Sequence, residues 1–387
     1  MTERIGLWLN GARGSVATTA VSGLLALREG LVPPTGCASE LLDADLPPWE
    51  AFVVGGHDVV DTPLVKRVEG LVRDGVLPHD LAGWVADGLD AVDAEIRPGH
   101  DPAAFAGSQA EVARRLAADI DDFRTRHGLA RVVVVNVAST EPPVHVPHES
   151  LAELDEALAV PGNAVLPPSS LVAYAAFRAG CPFVDFTPST GVALPALDEL
   201  ARERSLPYAG RDGKTGETLL RAAIAPMFTS RALKVLSWTG TNLLGGGDGA
   251  TLENPAHADS KIASKARGLA ALLGAEVTAP LHIDHVPDLG ERKTAWDHVS
   301  FEGFLGARMS LQLTWSGLDS SLAAPLVLDL ARLLAAAHAA GRTGAQGALA
   351  FFFKDPLGSD EHRLAEQARE LHEWARGLDD PRSRETD

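Results

Sequence analysis

Continuous apolar runs that end in polar residues are the feature that most limits how this 387-residue chain can fold. The clearest is RVVVVNVAST, residues 131–140, and its polar end extends from Asn136 to Glu141. A strand that is apolar on both faces is typical of a parallel sheet covered by helices on both sides. Such runs alternate with helical segments to about residue 225. The pattern predicts an α/β fold in which ligands bind at the carboxyl edge of a parallel sheet.

The first strand and the first helix enclose a turn that contains glycine. IGLWL, residues 5–9, runs into the turn Asn10–Ser15 and then into an amphipathic helix over 16–28. Strand, glycine turn and helix open a dinucleotide-binding unit, because glycines let the backbone approach a pyrophosphate at the helix N-terminus. The match is imperfect, since Trp8 and Leu9 stand where a first glycine could lie.

An acidic residue after the second strand usually binds the ribose hydroxyls of such a cofactor. The second strand, AFVVGGHD, ends at Asp58, about forty residues past the glycine turn. The usual separation is about twenty residues, so we interpret residues 29–50 as an insertion. On local grounds alone, Asp58 is either a ribose ligand or a helix cap.

The hydrophobic pattern changes after about residue 220. Several strand-like segments follow, and MSLQLTW, residues 309–315, alternates between apolar and polar side chains. Such alternation indicates one buried face, so we predict a mostly antiparallel sheet over about 220–321. A long apolar helix comes next. Its most apolar part, Leu322 to Ala340, contains Asp329 and Arg332, and we do not expect it to span a membrane.

The charge and the cysteine content exclude several classes of protein. The chain has 34 basic and 52 acidic residues and a net charge of −18, which argues against general binding of nucleic acid or of an anionic membrane. Cys37 and Cys181 are too few for a disulfide framework or a zinc ribbon. The first residues do not match a signal peptide. We expect a cytoplasmic protein with no nucleic-acid partner and no membrane partner.

Lysine is rare in this arginine-rich chain, which makes each lysine a candidate for chemistry. A buried ammonium can lose its proton, whereas a guanidinium effectively cannot. Lys261 and Lys265 share one face of a predicted helix, which is either a solvated face or a site for an anion. Lys354 follows three phenylalanines of a predicted apolar strand. We therefore expect Lys354 to be partly buried, with a lowered pKa suited to proton transfer.

Two further segments place charged residues after predicted strands. Asp212 and Lys214 lie in the glycine-rich segment GRDGKTGET, and Lys293 lies in LGERKTAWD. Their positions favour the edge of a polar pocket. His282 and His285 point to opposite faces of a predicted strand because their spacing is odd, so we predict no joint metal site there.

Taken in order, these motifs resemble the inositol-1-phosphate synthase family, which is also called the myo-inositol-3-phosphate synthase family. The matching segments span residues 5–356 and are NGARGS, GGHD, NVASTEPP, LPPSSLVAYAAFRAGCPFVDFTPS, GRDGKTGET, NLLGGGDG, SKIASKA, GERKTAWD, LDSSLAAPLVLDL and FFFKDP. The resemblance implies a discontinuous Rossmann-type domain, residues 1–219 plus 322–387, that binds NAD. It also implies an inserted α+β domain, residues 220–321, for catalysis and for assembly into a homotetramer.

The resemblance further implies a reaction that uses and regenerates a tightly bound NAD. C5 of glucose 6-phosphate is oxidised, C6 is deprotonated and adds to the C1 aldehyde, and the C5 ketone is reduced again. The product is myo-inositol 1-phosphate, formed by an isomerase without net redox. The proton shuttles implied are Lys261 and Lys354, the ligands of phosphate and oxyanions are Lys265, Lys293 and Lys214, and Asp212 orients a lysine. The cofactor-binding residues implied are Gly11, Gly14, Ser15, Asp58, Ala138, Thr140, Asp248 and Asp319.

Some positions depart from the family's pattern while the lysines are kept. Thr215 stands for a serine, Glu217 for a glutamine, Gly246 for an asparagine and Glu291 for an acid one carbon shorter. These changes favour the hypothesis that the chemistry stays and the sugar changes. A divergent branch of the family cyclises fructose 6-phosphate to a five-membered cyclitol phosphate for carbocyclic nucleosides.

Glucose 6-phosphate is our first expectation and fructose 6-phosphate the alternative. A further alternative is an NAD-dependent dehydrogenase with net redox. The sequence leaves the need for a metal or a monovalent cation open.

Overall fold

The larger of two sheets is built from the apolar runs. The computed structural model describes residues 3–142, 144–246, 268–270, 272–274 and 277–378. The parallel strands of this sheet are β1 (Ile5–Asn10), β2 (Phe52–Asp58), β3 (Ile96–Pro98), β4 (Arg131–Asn136), β5 (Phe183–Asp185), β6 (Pro207–Gly210) and β11 (Gly344–Ala345). Their order is β11-β6-β5-β4-β1-β2-β3. The predicted α/β class with a Rossmann-type parallel sheet is confirmed.

Helices cover both faces of this sheet, which is why its strands are apolar throughout. In β1, Leu7 and Leu9 pack into one core and Trp8 into the core on the opposite face, because side chains alternate along a strand. The helices on the Leu7 face are α1 (Ser15–Arg28), α2 (Leu64–Arg73), α3 (Leu81–Trp84), α4 (Ala86–Asp93) and α10 (Asp319–Ala339). Those on the Trp8 face are α5 (Gln109–His127), α6 (Leu151–Leu158), α7 (Pro168–Arg178) and α8 (Pro195–Glu203).

The pairing register brings the carboxyl ends of the central strands level. Asn10 at the end of β1 pairs with His57 of β2 and with Asn136 of β4, and Asn136 pairs in turn with Asp185 of β5. The strand order reverses between β1 and β4, and open α/β sheets bind ligands at such a point. The polar residues that end these strands therefore meet at one edge.

A second, mixed sheet follows in the chain. It contains β7 (Lys234–Leu244), β8 (Leu281–His285), β9 (Arg292–Glu302) and β10 (Arg308–Leu318) in the order β10-β9-β7-β8. β7 and β8 are parallel and the other pairs are antiparallel, as a mostly antiparallel sheet requires. Helix α9 (Gly216–Ser230) packs against it through Phe228, whose ring centroid lies 6.2 Å from that of Trp238. The domain limits at 220 and 321 stay a prediction.

One sequence prediction is wrong. The segment before Lys354 is not an apolar strand but a 3₁₀ helix, Gly347–Phe352. Phe352 and Phe353 are both buried although they are adjacent. A strand would send them to opposite faces, whereas a tight turn lets both reach the core. The last helix of the described chain, α11 (Leu364–Arg376), packs against this segment.

Helix α10 is long and apolar enough to cross a membrane by length and composition, but 61 % of its most apolar window is buried inside the protein. Two charged residues in the middle of this helix, Asp329 and Arg332, have structural roles there. The Asp329 carboxylate accepts backbone N–H bonds from Ala38 at 2.6 Å and Ser39 at 3.2 Å. Arg332 donates to the carbonyl of Pro47 at 2.6 Å. Asp329 and Arg332 thereby attach the insertion that lies between α1 and β2 to helix α10.

We predict that Asp329→Ala destabilises the protein by about 1–3 kcal/mol, because one buried and one partly buried N–H group lose their acceptor. The control is Asp80→Ala, since that side chain is 78 % exposed, and a change of less than about 0.5 kcal/mol is expected there. Denaturant unfolding of both variants measures the difference. Equal stability of the two variants would contradict this role of Asp329.

Candidate functional site

The glycine turn after β1 is shaped for a close approach. Gly11 has a φ of +85°, and a Cβ at this position would lie 2.7 Å from the Cα of Ala138. The Gly11 N–H donates to the His57 carbonyl at 2.9 Å. Helix α1 begins after Gly14, and no described side chain caps it there. Free N–H groups at a helix start beside a glycine turn suit an anionic group such as a pyrophosphate.

Asp58 joins the end of β2 to this turn. Its carboxylate accepts the N–H of Arg13 at 2.6 Å and that of Val60 at 2.8 Å. It is not a helix cap, because α2 begins after Pro63. Asp58 therefore holds the position at which a ribose ligand is expected, and that role stays a prediction.

Glu291 is a residue of this region to which the sequence analysis gave no role. It lies immediately before β9, and its carboxylate accepts a hydrogen bond from the hydroxyl of Ser15 at 2.9 Å and from that of Ser320 at 2.9 Å. Ser15 and Ser320 stand in the first turns of α1 and α10. A carboxylate is stabilised beside helix N-termini. Glu291 therefore attaches the second sheet to two helices of the first.

Two segments that are far apart in the chain pair with each other at the sheet edge. The N–H of Arg211 donates to the carbonyl of Asp355 at 2.8 Å, and the N–H of Lys354 donates to the carbonyl of Asp212 at 2.7 Å. The N–H of Lys214 donates to the carbonyl of Phe352 at 2.8 Å. We call residues 211–214 and 352–355 the paired segments. Their pairing brings Asp212, Lys214 and Lys354 into one place.

The sheet-edge cavity lies between the ends of β4 and β5, the paired segments and α10. Its charged lining contains two lysine–carboxylate pairs. Lys354 Nζ lies 2.8 Å from Asp212 Oδ1, and Lys293 Nζ lies 3.7 Å from Asp319 Oδ2. The remaining lining residues are Val16, Val137, Ala138, Thr140, Phe186, Thr187, Pro188, Gly213, Thr215 and Ala323. The structure thus gathers here six residues that the sequence placed in the site, namely Ala138, Thr140, Asp212, Lys293, Asp319 and Lys354.

The basic cavity lies on the other side of Lys354. Its cationic lining residues are Lys214, Arg221 and Lys354, accompanied by His362. The remaining lining residues are Thr218, Ala222, Gly268, Leu269 and Leu272. Arg221 and His362 were not predicted as site residues, because no local motif marks them. Arg221 is also paired with the buried carboxylates of Glu217 and Asp297. The cations of this wall suit a phosphate group.

Two described lysines line the basic cavity, and Lys214 is the more buried of them, with 5 % of its surface exposed. Its ammonium donates to Gln367 Oε1 and to the carbonyl of Ala350, the latter at 3.3 Å. Burial lowers the pKa of Lys214 to about 7. Lys354 is partly buried, as expected, with 14 % of its side chain exposed.

A polar ladder lies along the strand ends beside the sheet-edge cavity. Asn10 Nδ2 donates to Asn136 Oδ1 at 2.8 Å, and Asn136 Nδ2 donates to Asp185 Oδ1 at 3.0 Å. The hydroxyl of Thr187 also donates to Asp185 Oδ1, at 2.9 Å. Burial raises the pKa of the Asp185 carboxyl to about 7. The ladder fixes the strand ends that line the cavity.

Comparison with known proteins identifies the family. A model of an NAD-binding family described as myo-inositol-1-phosphate synthase matches residues 39–376. Inositol-3-phosphate synthase 1 of Bacteroides thetaiotaomicron is 33 % identical over 403 residues, which cover 94 % of this chain and 91 % of the relative. The chain belongs to the inositol-phosphate synthase family.

Solved structures of similar proteins share its fold. Inositol-3-phosphate synthase of Caenorhabditis elegans superposes with a TM-score of 0.84 at 21 % identity, over 98 % of this chain and 86 % of that one. A myo-inositol-1-phosphate synthase-related protein of Thermotoga maritima superposes with a TM-score of 0.78 at 24 % identity, over 96 % and 98 % of the two chains.

Three of the residues that the family resemblance points to, Lys261, Lys265 and Asp248, lie outside the described residues. Within the described parts of the chain, no group of three or more histidine, cysteine, aspartate or glutamate side chains is arranged to hold a metal ion. His282 is exposed on β8 and His285 is half-buried, in keeping with opposite faces.

We predict that stability of the wild type rises with pH relative to that of Lys214→Met. The ordinary lysine pKa is 10.5 and that of Lys214 is about 7. Between these values the unfolded chain holds a proton that the folded chain has released, so the folded state gains as pH increases. The gain is at most about 1.4 kcal/mol per pH unit, or a few degrees in Tm.

Thermal melts of both proteins between pH 7 and pH 10 measure this difference. The control is Lys66→Met, because the Lys66 side chain is 64 % exposed, and its Tm difference from the wild type is expected to stay nearly constant. A constant difference for Lys214→Met as well would contradict the burial effect.

Proposed function

We propose that this protein is an NAD-dependent sugar-phosphate cyclase that converts glucose 6-phosphate to myo-inositol 1-phosphate, an intramolecular isomerisation without net redox. The observation that carries the proposal is the position of Lys354, which lines both the sheet-edge cavity and the basic cavity. One cavity adjoins the glycine turn and strand ends of an NAD-binding family, and the other gathers cations. A lysine between them can act on a sugar placed next to a nicotinamide.

The residues around the glycine turn fit NAD. Gly11 leaves room that a Cβ would fill, and Gly14 precedes an α1 start that no described side chain caps. Asp58 stands at the end of β2 for a ribose, and Ala138 and Thr140 follow β4 toward the sheet-edge cavity. When bound, NAD⁺ would supply reversible oxidation at C5 of the sugar, and we propose that it stays tightly bound through the turnover.

The described lysines suit the steps between oxidation and reduction. Deprotonation at C6 and attack on the C1 aldehyde both place negative charge on oxygen, and an ammonium stabilises such charge in a site shielded from water. Lys354, held at 2.8 Å by the Asp212 carboxylate, can pass a proton through Nζ. Lys214 and Lys293 bind phosphate or oxyanions. In the family pattern Lys261 and Lys265 complete this set.

The four departures from the family's pattern lie close to the two cavities, which keeps fructose 6-phosphate as a second candidate substrate. Thr215 donates its hydroxyl to Asp319 at 2.9 Å, and Glu291 binds the starts of α1 and α10. Glu217 contacts Asn242 Nδ2 at 2.8 Å, and Gly246 faces Glu291. Thr215 lines the sheet-edge cavity, and Glu217 pairs with Arg221 of the basic cavity. Cyclisation of fructose 6-phosphate to a five-membered cyclitol phosphate is the second candidate, which the kept lysines would serve equally.

A paired assay tests the proposal. The protein with NAD⁺ receives glucose 6-phosphate in one tube and isomerase-free fructose 6-phosphate in the other, and phosphorus NMR and mass spectrometry identify the product. We expect a six-membered cyclitol phosphate from glucose 6-phosphate and no accumulation of NADH. A five-membered cyclitol from fructose 6-phosphate would establish the second candidate. Steady NADH build-up without a cyclitol would establish a dehydrogenase.

We also propose that the protein works as a cytoplasmic homotetramer. Cys37 and Cys181 are buried and unpaired, as suits a reducing compartment. At the tip between β9 and β10, Phe304 and Leu305 are 87 % and 89 % exposed. Adjacent exposed apolar side chains favour an interface, and a second copy of the chain would cover them.

We predict that the double variant Phe304→Ser, Leu305→Ser sediments as a smaller species than the wild type, because the apolar contact between copies is lost. The matched control is Leu41→Ser, since Leu41 is 75 % exposed on the other domain, and its sedimentation is expected to equal that of the wild type. A wild type that sediments at its monomer mass of 40.7 kDa would contradict the assembly.

A further inference from the structure

Two lysines in the wall of the basic cavity have partners of different charge. Lys354 Nζ meets the carboxylate of Asp212 at 2.8 Å. Lys214 Nζ instead meets two neutral oxygens, Oε1 of Gln367 and the carbonyl of Ala350. A carboxylate partner favours the charged form of a lysine strongly, whereas a neutral acceptor favours it weakly.

The orientation of the Gln367 amide is determined by its second contact. Gln367 lies on α11 and is fully buried. Its Nε2 donates to the carbonyl of Glu361 at 2.5 Å, so its Oε1 faces Lys214. The same helix is anchored in the core by Leu371 and Ala375. A residue 153 positions away in the chain therefore holds the Lys214 ammonium.

We propose, on the basis of the function proposed above, that Gln367 is a positioning residue of the cyclase site. Its neutral amide holds the Lys214 ammonium in the wall of the basic cavity and leaves that ammonium able to exchange its proton during the reaction. Lys354 instead lies 2.8 Å from the carboxylate of Asp212. The two lysines thereby differ in chemistry although they line the same cavity.

The charged groups around Lys214 are consistent with this division. Burial lowers the pKa of Lys214 to about 7, and the negative charge of Glu361 opposes the shift. Arg363 holds the pKa of Glu361 near 2, so that charge is constant over the working range of pH. The other titratable or charged groups that face the cavity are Arg221, Lys354 and His362. Burial, and then the Lys214 charge, lower the pKa of His362.

Two substitutions at position 367 are expected to move the titration of Lys214 in opposite directions. Gln367→Glu has nearly the same shape and adds a carboxylate, so the midpoint of Lys214 should rise by roughly one to three pH units. Gln367→Met has a similar volume and removes the acceptor, so the midpoint should fall. Carbon-13 NMR of protein labelled at the lysine ε-carbon reports this titration without turnover, and Lys214→Met assigns the signal.

The pH profile of cyclisation is the second readout. The part of the pH profile that reflects the titration of Lys214 should shift in both variants by as much as the NMR midpoint does. A loss of packing alone would not produce that matching shift. Signals of the other lysines serve as internal controls. If Gln367→Glu fails to fold, the fall expected for Gln367→Met still tests the proposal.

Unchanged Lys214 midpoints in folded variants would overturn the role of Gln367. Shifted midpoints in a protein that forms no cyclitol phosphate would instead overturn the proposed function and leave the coupling between the two side chains intact. The two failures are therefore distinguishable.

Discussion

The site depends on the backbone pairing between residues 211–214 and 352–355. These segments follow β6 and β11, two neighbouring strands of the large sheet that the second sheet separates in the chain, and their hydrogen bonds place Asp212, Lys214 and Lys354 within one wall. The same wall separates the sheet-edge cavity from the basic cavity. Lys354 faces both the sheet-edge cavity and the basic cavity, whereas Lys214 is directed back toward α11. Chemistry at this edge therefore requires the parts of the chain before and after the second sheet to fold together.

The parts of the fold that follow from local physics were predictable from sequence. Runs such as 131–136 became parallel strands because only a sheet covered on both faces buries them fully. The turn at Gly11 was predictable because its positive φ and its close approach to Ala138 both require glycine. The segment before Lys354 was mispredicted as a strand, since an apolar run of this length does not distinguish a strand from a tight helical turn.

The lysines of the candidate site were predictable from the sequence, but the residues that bind them were not. Lys214 and Lys354 stood out because lysine is rare here and both lie beside glycine-rich or apolar segments. Gln367 carries no comparable signal, since a glutamine on an amphipathic helix is normally exposed. Its burial and its contact with Lys214 arise from how α11 packs on the 347–352 helix. Glu291 was visible as a departure, but its contacts with Ser15 and Ser320 depend on two sheets meeting.

Some charged side chains of this protein stabilise its fold, whereas others are suited to chemistry. Asp329 and Glu291 are carboxylates whose hydrogen bonds join separate segments, so each stabilises the arrangement in which it is found. Burial raises the pKa of Asp329 to about 6. Burial likewise disfavours the charge of Lys214, and its two neutral partners compensate little for that cost. A carboxylate at position 367 would remove that cost and would hold the ammonium charged. The neutral amide retains a destabilised cation, and a cation that gives up its proton near neutral pH is one that acid–base chemistry can use.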